Sequence, residues 1–158
     1  MAAHDVRIVW ASDGEFTSGR YSRRHEWQFD GGAVVAGSSS PHVVRPPLSD
    51  PAAVDPEEAL VAAVASCHML WFLDLARRGG FDLISYVDDA TGTMGEIEPG
   101  RIALARITLR PDIVFAGRQP SAEELDQLHH QAHEHCFIAN SLKSEVVVET
   151  PVRDAEAA

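Results

Sequence analysis

The amino-acid sequence predicts an α+β fold, and three observations carry the prediction. Short strand-like segments joined by a glycine turn come first, a long capped apolar helix interrupts them, and two further long strands precede a second helix and a closing strand. The resulting order, β-β-β-α-β-β-α-β, lacks the regular strand–helix alternation of a doubly wound parallel sheet. With 158 residues and 45% hydrophobic content, the chain is expected to be one domain, 1–158, around a single substantial core.

The opening strands are expected at Val6 to Ala11 and Tyr21 to Phe29, where Arg23, His25, Trp27 and Phe29 fall on one face at period two. Asp30-Gly31-Gly32 supplies the positive φ angles of a tight hairpin turn, and Ala33 to Ala36 returns as the third strand. The text then changes over about residues 37–56. Ser38-Ser39-Ser40-Pro41 and Pro46-Pro47-Leu48-Ser49-Asp50-Pro51 remove backbone donors and block a helix. A loop this long either shapes a site or is a mobile connector, and both readings stand at this point.

Asp55-Pro56-Glu57-Glu58 starts a helix with Asp as N-cap, Pro at the first helical position and carboxylates at the positive end of the macrodipole. Glu58 has capping-box spacing from Asp55. Ala59 to Leu75 is apolar almost all round, broken by Ser66, Cys67, His68 and Asp74, and Arg77-Arg78-Gly79-Gly80 ends the helix. Such a helix belongs inside the domain, with Cys67 near its middle.

Phe81 to Met94 and Arg101 to Phe115 are expected as two long strands joined around Glu98-Pro99-Gly100, with a slip in the alternation near Ala105 that predicts a bulge. Pro120-Ser121 followed by Glu124 is a second capping-box start, and Leu125, Leu128, Ala132 and Cys136 share one helical stripe. Glu145 to Val148 closes the chain as a strand, followed by a short polar tail at about 151–158.

Thirteen Lys and Arg against 24 Asp and Glu give a formal charge of −11, which repels phosphate backbones and argues against nucleic acid as a partner. Met1-Ala2-Ala3-His4-Asp5 lacks the basic start and apolar stretch of a signal peptide, and no unbroken apolar run approaches the roughly 20 residues of a membrane span. The expectation is a soluble, cytoplasmic protein with no membrane partner. Two cysteines 69 positions apart make neither a disulfide scaffold nor a zinc ribbon.

Cys67 carries the most information, although a cysteine inside an apolar helix is ordinarily a small buried hydrophobe. A second cysteine on a second helix opens two chemistries. In the first, a thiolate attacks a peroxide oxygen, becomes a sulfenic acid and condenses with the other thiol. An arginine beside the thiolate lowers its pKa and a carboxylate holds that arginine; Arg20, Arg23 or Arg24 and Glu57 or Glu58 are the candidates. In the second, His129, His133 and Cys136 share a helix face and bind a metal or small ligand, with Cys67 or His68 completing a tetrahedral set. The histidines His129, His130, His133 and His135 have a plainer reading as partly solvated, partly core side chains. Glu57-Glu58 and Glu123-Glu124 lie at helix starts, where capping accounts for them, and no Gly-rich phosphate loop or Gly-x-Ser-x-Gly elbow occurs.

Five segments occur in order: Tyr21-Ser22-Arg23, Phe29-Asp30-Gly31-Gly32, Asp55-Pro56-Glu57-Glu58, Ala65-Ser66-Cys67-His68-Met69 and Ala132-His133-Glu134-His135-Cys136. Over about Tyr21 to Val148 the chain resembles the OsmC/Ohr family of osmotically induced and organic hydroperoxide resistance proteins. The resemblance implies an intertwined homodimer whose strands wrap two central buried helices, with active sites at the subunit interface. It implies a thiol peroxidase that reduces organic hydroperoxides, draws on an external dithiol reductant and needs no haem, metal or other cofactor. By the same resemblance Cys67 matches the peroxidatic cysteine, Cys136 the resolving cysteine, and Glu57 the carboxylate that clamps the active-site arginine. Arg23 is the counterpart of that arginine by its distance from the Asp30-Gly31 turn, with Arg20 and Arg24 as alternatives. Met69, Leu70, Trp71 and Phe72 would give the thiol an apolar surrounding that favours alkyl hydroperoxides. Phe137 follows Cys136 where the family usually has proline, and the histidine-rich helix is unlike the best-known members, which points to a separate OsmC-like branch.

Overall fold

The computed structural model describes residues 1–150; the tail expected at 151–158 lies outside the described residues. The described chain divides into two compact units, one of Met1–Ala59 and one from Leu60 onward. The fold is α+β, with eight strands and three helices among the described residues.

In the first unit, β1 (Val6–Val9), β2 (His25–Phe29) and β3 (Val34–Gly37) form an antiparallel sheet in the order β1-β2-β3. The β2–β3 hairpin closes at the glycine turn, where Gly32 has φ 87° and donates to Phe29 O at 3.0 Å. Only Gly has no Cβ to resist that angle. The second strand begins at His25 instead of Tyr21, because residues 21–24 are held out of the sheet: Arg23 N donates to Leu48 O at 2.8 Å and Trp10 Nε1 to Ser22 O at 2.9 Å. The Pro/Ser-rich loop is laid against the end of β3. Ser38 N donates to Val54 O at 3.0 Å, Val54 N to Ala36 O at 2.9 Å, and Asp50 N to the buried Ser38 hydroxyl at 2.9 Å. These bonds hold the loop where Ser38, Ser49 and Ala53 are buried, positions at which backbone groups need a partner within the protein.

Helix α1 (Pro56–Arg78) starts and stops where its caps predict. Glu58 N donates to Asp55 Oδ1 at 2.8 Å and Asp55 N to Glu58 Oε2 at 3.1 Å, a reciprocal capping box. Gly80, at φ 75°, ends the helix, and Phe81 N returns to Ala76 O at 3.0 Å. By length and composition the helix is long and apolar enough to cross a membrane. Within the chain, however, Val64, His68, Phe72 and Ala76 form one buried stripe at intervals of four, while Leu70 on another face is 60% exposed.

The two long strands expected after α1 are each broken in two, which gives β4 (Asp82–Asp88), β5 (Thr91–Glu98), β6 (Arg101–Leu109) and β7 (Pro111–Ala116). The break has an identifiable cause. Arg110 N donates to Asp88 Oδ1 at 2.6 Å and Arg110 Nη1 to Thr91 Oγ1 at 2.9 Å, and Pro111 has no N–H to carry the ladder on. The bent hairpin pairs β5 with β6 and β4 with β7, and β8 (Glu145–Val148) adds to β6 in parallel. The bulge expected near Ala105 is present: Thr93 pairs with Arg106 and Met94 with Leu104, so Ala105 is skipped.

Helix α2 (Ala122–His135) opens on the Ser121–Glu124 capping box, with bonds of 3.1 and 2.8 Å. Phe72, Ala76, Phe81, Ile113, Leu128 and Ala132 make one core cluster, and Val64, Ile107 and Leu109 another. Cys136 is the joint between α2 and the short α3 (Phe137–Asn140), with extended backbone at φ −67°, ψ 104°. Its sulfur caps α3 by accepting from Ala139 N at 3.4 Å.

Candidate functional site

Cys67, near the middle of α1, and Cys136, at the α2–α3 joint, are both free thiols, and they lie close enough for Cys67 to raise the pKa of the Cys136 thiol. Cys67 is partly exposed and Cys136 fully buried. Burial pushes the Cys136 thiol up to about 11, with the neighbouring Cys67 adding to the rise and the Ala139 N–H opposing it. At neutral pH Cys136 therefore stays a protonated thiol. Such a pair suits an order of events in which the accessible sulfur reacts with a solute and the enclosed one condenses with the product.

Arg23 and Glu57 lie in the first unit and line one cavity of about 570 Å³. Trp10, Phe16 and Tyr21 form its aromatic wall, with ring centroids 4.9 to 5.7 Å apart. The guanidinium of Arg23 sits 3.8 Å over the Tyr21 ring, and Nη1 donates to Tyr21 O at 2.6 Å and Gly19 O at 3.1 Å. Glu57, in the first turn of α1, has a buried Oε2 with no hydrogen-bond partner. No ion pair joins Arg23 to Glu57 among the described residues, so the cavity holds an arginine bonded to the carbonyls of Tyr21 and Gly19 and a carboxylate oxygen without a donor. The other arginine candidates are engaged elsewhere: Arg20 pairs with Glu15 and Arg24 with Asp50, both outside the cavity lining. Glu58 is used by the helix cap.

The histidines do not assemble as a ligand set. His68 Nε2 lies 3.1 Å from His129 Nδ1 inside the second unit, with the rings stacked at 12° and centroids 5.4 Å apart. Burial is the main cause that lowers both to about 4, and the charges of His129 and His133 add to it at His68. Both are neutral at pH 7. His130 faces Glu134 on the surface at 3.5 Å and His135 stacks on Trp71. Among the described residues no three His, Cys, Asp or Glu side chains converge as metal ligands, so the set of His129, His133, Cys136 and Cys67 or His68 is not formed. The spacing of His129 and His133 shows that they share a face, but not that His68 is what His129 meets.

Sequence reasoning missed the aromatic wall, because Trp10, Phe16 and Tyr21 follow neither a helical nor a strand period. It also missed the bond of Trp27 to His25, although their period-two spacing placed them on one face.

Residues 49–151 match the family model described as OsmC-like protein. Among solved structures, the chain is similar to an OsmC-like protein of unknown function from Vibrio cholerae, with 46% identity and a TM-score of 0.93 over 96% of this chain and 100% of that one. An organic hydroperoxide resistance protein from Elizabethkingia anophelis shares 15% identity at a TM-score of 0.69, covering 96% of this chain and 98% of that one. The corresponding protein of Bacillus subtilis shares 14% at 0.65, covering 95% and 98%. At those identities the two share the fold. No curated protein matches the chain. With the family model matched over most of its length and the Vibrio cholerae protein over nearly all of it, the chain belongs to the OsmC-like family.

Proposed function

We propose that the protein is a cytoplasmic, homodimeric thiol peroxidase that reduces organic hydroperoxides, with hydrogen peroxide as a poorer substrate. Cys67 as thiolate attacks the terminal oxygen of ROOH; the O–O bond breaks, RO− leaves and takes a proton from solvent to become ROH, and Cys67 becomes a sulfenic acid. Arg23 stabilises the thiolate and orients the peroxide once its guanidinium leaves the Tyr21 and Gly19 carbonyls, and the unpaired Oε2 of Glu57 then receives and positions it. The thiol of Cys136 then condenses with the sulfenic acid, forming the Cys67–Cys136 disulfide and releasing water. An external dithiol reduces that disulfide by exchange, taking the two electrons' worth of oxidation away.

The observation that carries this reading is that the two cysteines, 69 positions apart in sequence, are free thiols brought close enough for one to shift the pKa of the other. The aromatic cavity with one arginine and one unpaired carboxylate oxygen supports an apolar substrate with a small polar head. The homodimer is supported by the apolar faces that α1 and the sheets leave uncovered, among them Leu70 at 60%, Ile84 at 70% and Ile102 at 65% exposure.

The test is consumption of cumene hydroperoxide with a dithiol reductant, alongside metal analysis of the same sample. Wild type turns over and Cys67→Ser does not. Cys136→Ser completes one turnover and stalls as a trappable sulfenic acid. Protein that leaves the hydroperoxide untouched while carrying stoichiometric zinc ends the peroxidase reading.

A further inference from the structure

His25 and Trp27 sit on one face of β2, and the thiol chemistry makes no use of either. Trp27 Nε1 lies 2.6 Å from His25 Nε2. An indole nitrogen only donates, so Nε2 is the unprotonated, accepting nitrogen. The proton of the neutral ring is then on Nδ1, which lies 2.8 Å from the carbonyl oxygen of Arg23, a group that only accepts. One tautomer satisfies both contacts; the Nε2–H form would set two hydrogens against each other at Trp27 and leave Arg23 O facing a lone pair.

Arg23 is thus held at both ends of its backbone, by Leu48 O on its N–H at 2.8 Å and by His25 on its carbonyl. Gly37 makes room for the arrangement. It lies opposite His25 in the β2–β3 register, and a Cβ there would fall 2.5 Å from Trp27 Nε1 and 2.6 Å from His25 Nε2. His25 also lines the cavity that holds Arg23 and Glu57, so its ring stands beside the group it fixes.

We propose that His25, locked in its Nδ1–H tautomer by Trp27, is a positioning residue that fixes the backbone of Arg23 and thereby aims its guanidinium in the cavity. The step it serves rests on the peroxidase reading, whereas the device itself rests on the hydrogen bonds above. A pair that merely stabilises the sheet would lower stability when removed and leave the chemical step unchanged. Asparagine at position 25 keeps a side-chain N–H close to where Nδ1 stands, whereas leucine keeps bulk and loses the donor.

The experiment combines nitrogen-15 NMR of the histidine ring with cumene hydroperoxide kinetics on wild type, His25→Leu, His25→Asn and Trp27→Phe, each checked for folding by circular dichroism. Wild type shows the Nδ1–H tautomer and Trp27→Phe a mixture. In His25→Leu, kcat falls roughly 10- to 100-fold with KM changed less than about threefold, and His25→Asn recovers to within about threefold of wild type. An Nε2–H tautomer in wild type, an unchanged kcat in folded His25→Leu, or an Asn variant as impaired as the Leu variant overturns the proposal. Wild-type protein that consumes no hydroperoxide refutes the peroxidase reading instead. The Arg23 amide resonance then decides the positioning claim: it moves in His25→Leu and stays in His25→Asn, and equal behaviour in both overturns it.

Discussion

Acid should destabilise this protein well before its carboxylates titrate, because two neutral histidines are packed against each other in the second unit. His68 is fully buried and His129 nearly so, with nitrogens 3.1 Å apart, and burial lowers both from 6.5 to about 4. A lowered pKa means that the unfolded chain takes up the proton first. The stability from keeping these rings neutral is fully present above about pH 6.5 and drains away as pH falls towards about 4. Linkage gives about 2 kcal/mol lost for each ring by about pH 5 and about 3 kcal/mol by about pH 4, against a typical total of about 5–15 kcal/mol. The two losses do not add freely, since protonating one ring hinders the other. Urea unfolding at about pH 7.5, 6 and 5 measures the effect before most carboxylates protonate; the midpoint should fall by on the order of 1 M across that range. The double variant His68→Leu/His129→Leu, which removes both rings, should show a much flatter midpoint over the same range and so corrects for the exposed histidines. Equal acid slopes in wild type and double variant would refute the assignment of the loss to this pair.

Two further outcomes test the local structure. Gly37→Ala places a Cβ 2.5 Å from Trp27 Nε1 and 2.6 Å from His25 Nε2, so the two packed rings must move, and a loss of about 1–3 kcal/mol is expected in urea unfolding. Ser121→Ala removes the hydroxyl that accepts from Glu124 N at 3.1 Å, and about 1 kcal/mol should be lost with no change in peroxide kinetics.

What was legible in the sequence was what neighbouring residues decide among themselves. Asp55 and Glu58, Ser121 and Glu124, and the Asp30-Gly31-Gly32 turn act within a few positions, and their elements begin and end where those residues dictate. The bulge at Ala105 was readable because a period-two alternation that slips has to be absorbed somewhere. The bend between β6 and β7 was not, because Arg110 finds Asp88 and Thr91 only once the hairpin has paired. The cysteines could be nominated from their two helices, but nothing local said that Cys136 would leave the α2 stripe to cap α3. The histidines failed as a ligand set for the same reason. Their spacing on α2 is a local fact, whereas the stacking of His129 on His68 spans 61 positions and is set by which helix faces meet in the core.

The asymmetry of the two thiols also bears on how strong the proposed disulfide between them should be. A bridge closing a loop of 69 residues in the unfolded chain would stabilise an unstrained native state by about 4 kcal/mol on the loop-entropy account. A structural disulfide delivers most of that and resists reduction; one that must be reopened in every catalytic cycle cannot. Cys136 is enclosed and tied to Ala139 N through its sulfur, so drawing that sulfur into a covalent bond with Cys67 disturbs a contact that the reduced protein has already made. Losing that contact on oxidation raises the reduction potential and is subtracted from the entropic gain. Oxidised protein should therefore unfold at higher urea than reduced protein, but by clearly less than about 4 kcal/mol, as measured on matched samples with and without dithiol. A gain of the full amount, together with resistance to dithiols, would make the bridge a structural staple and leave Cys136 without its part in turnover.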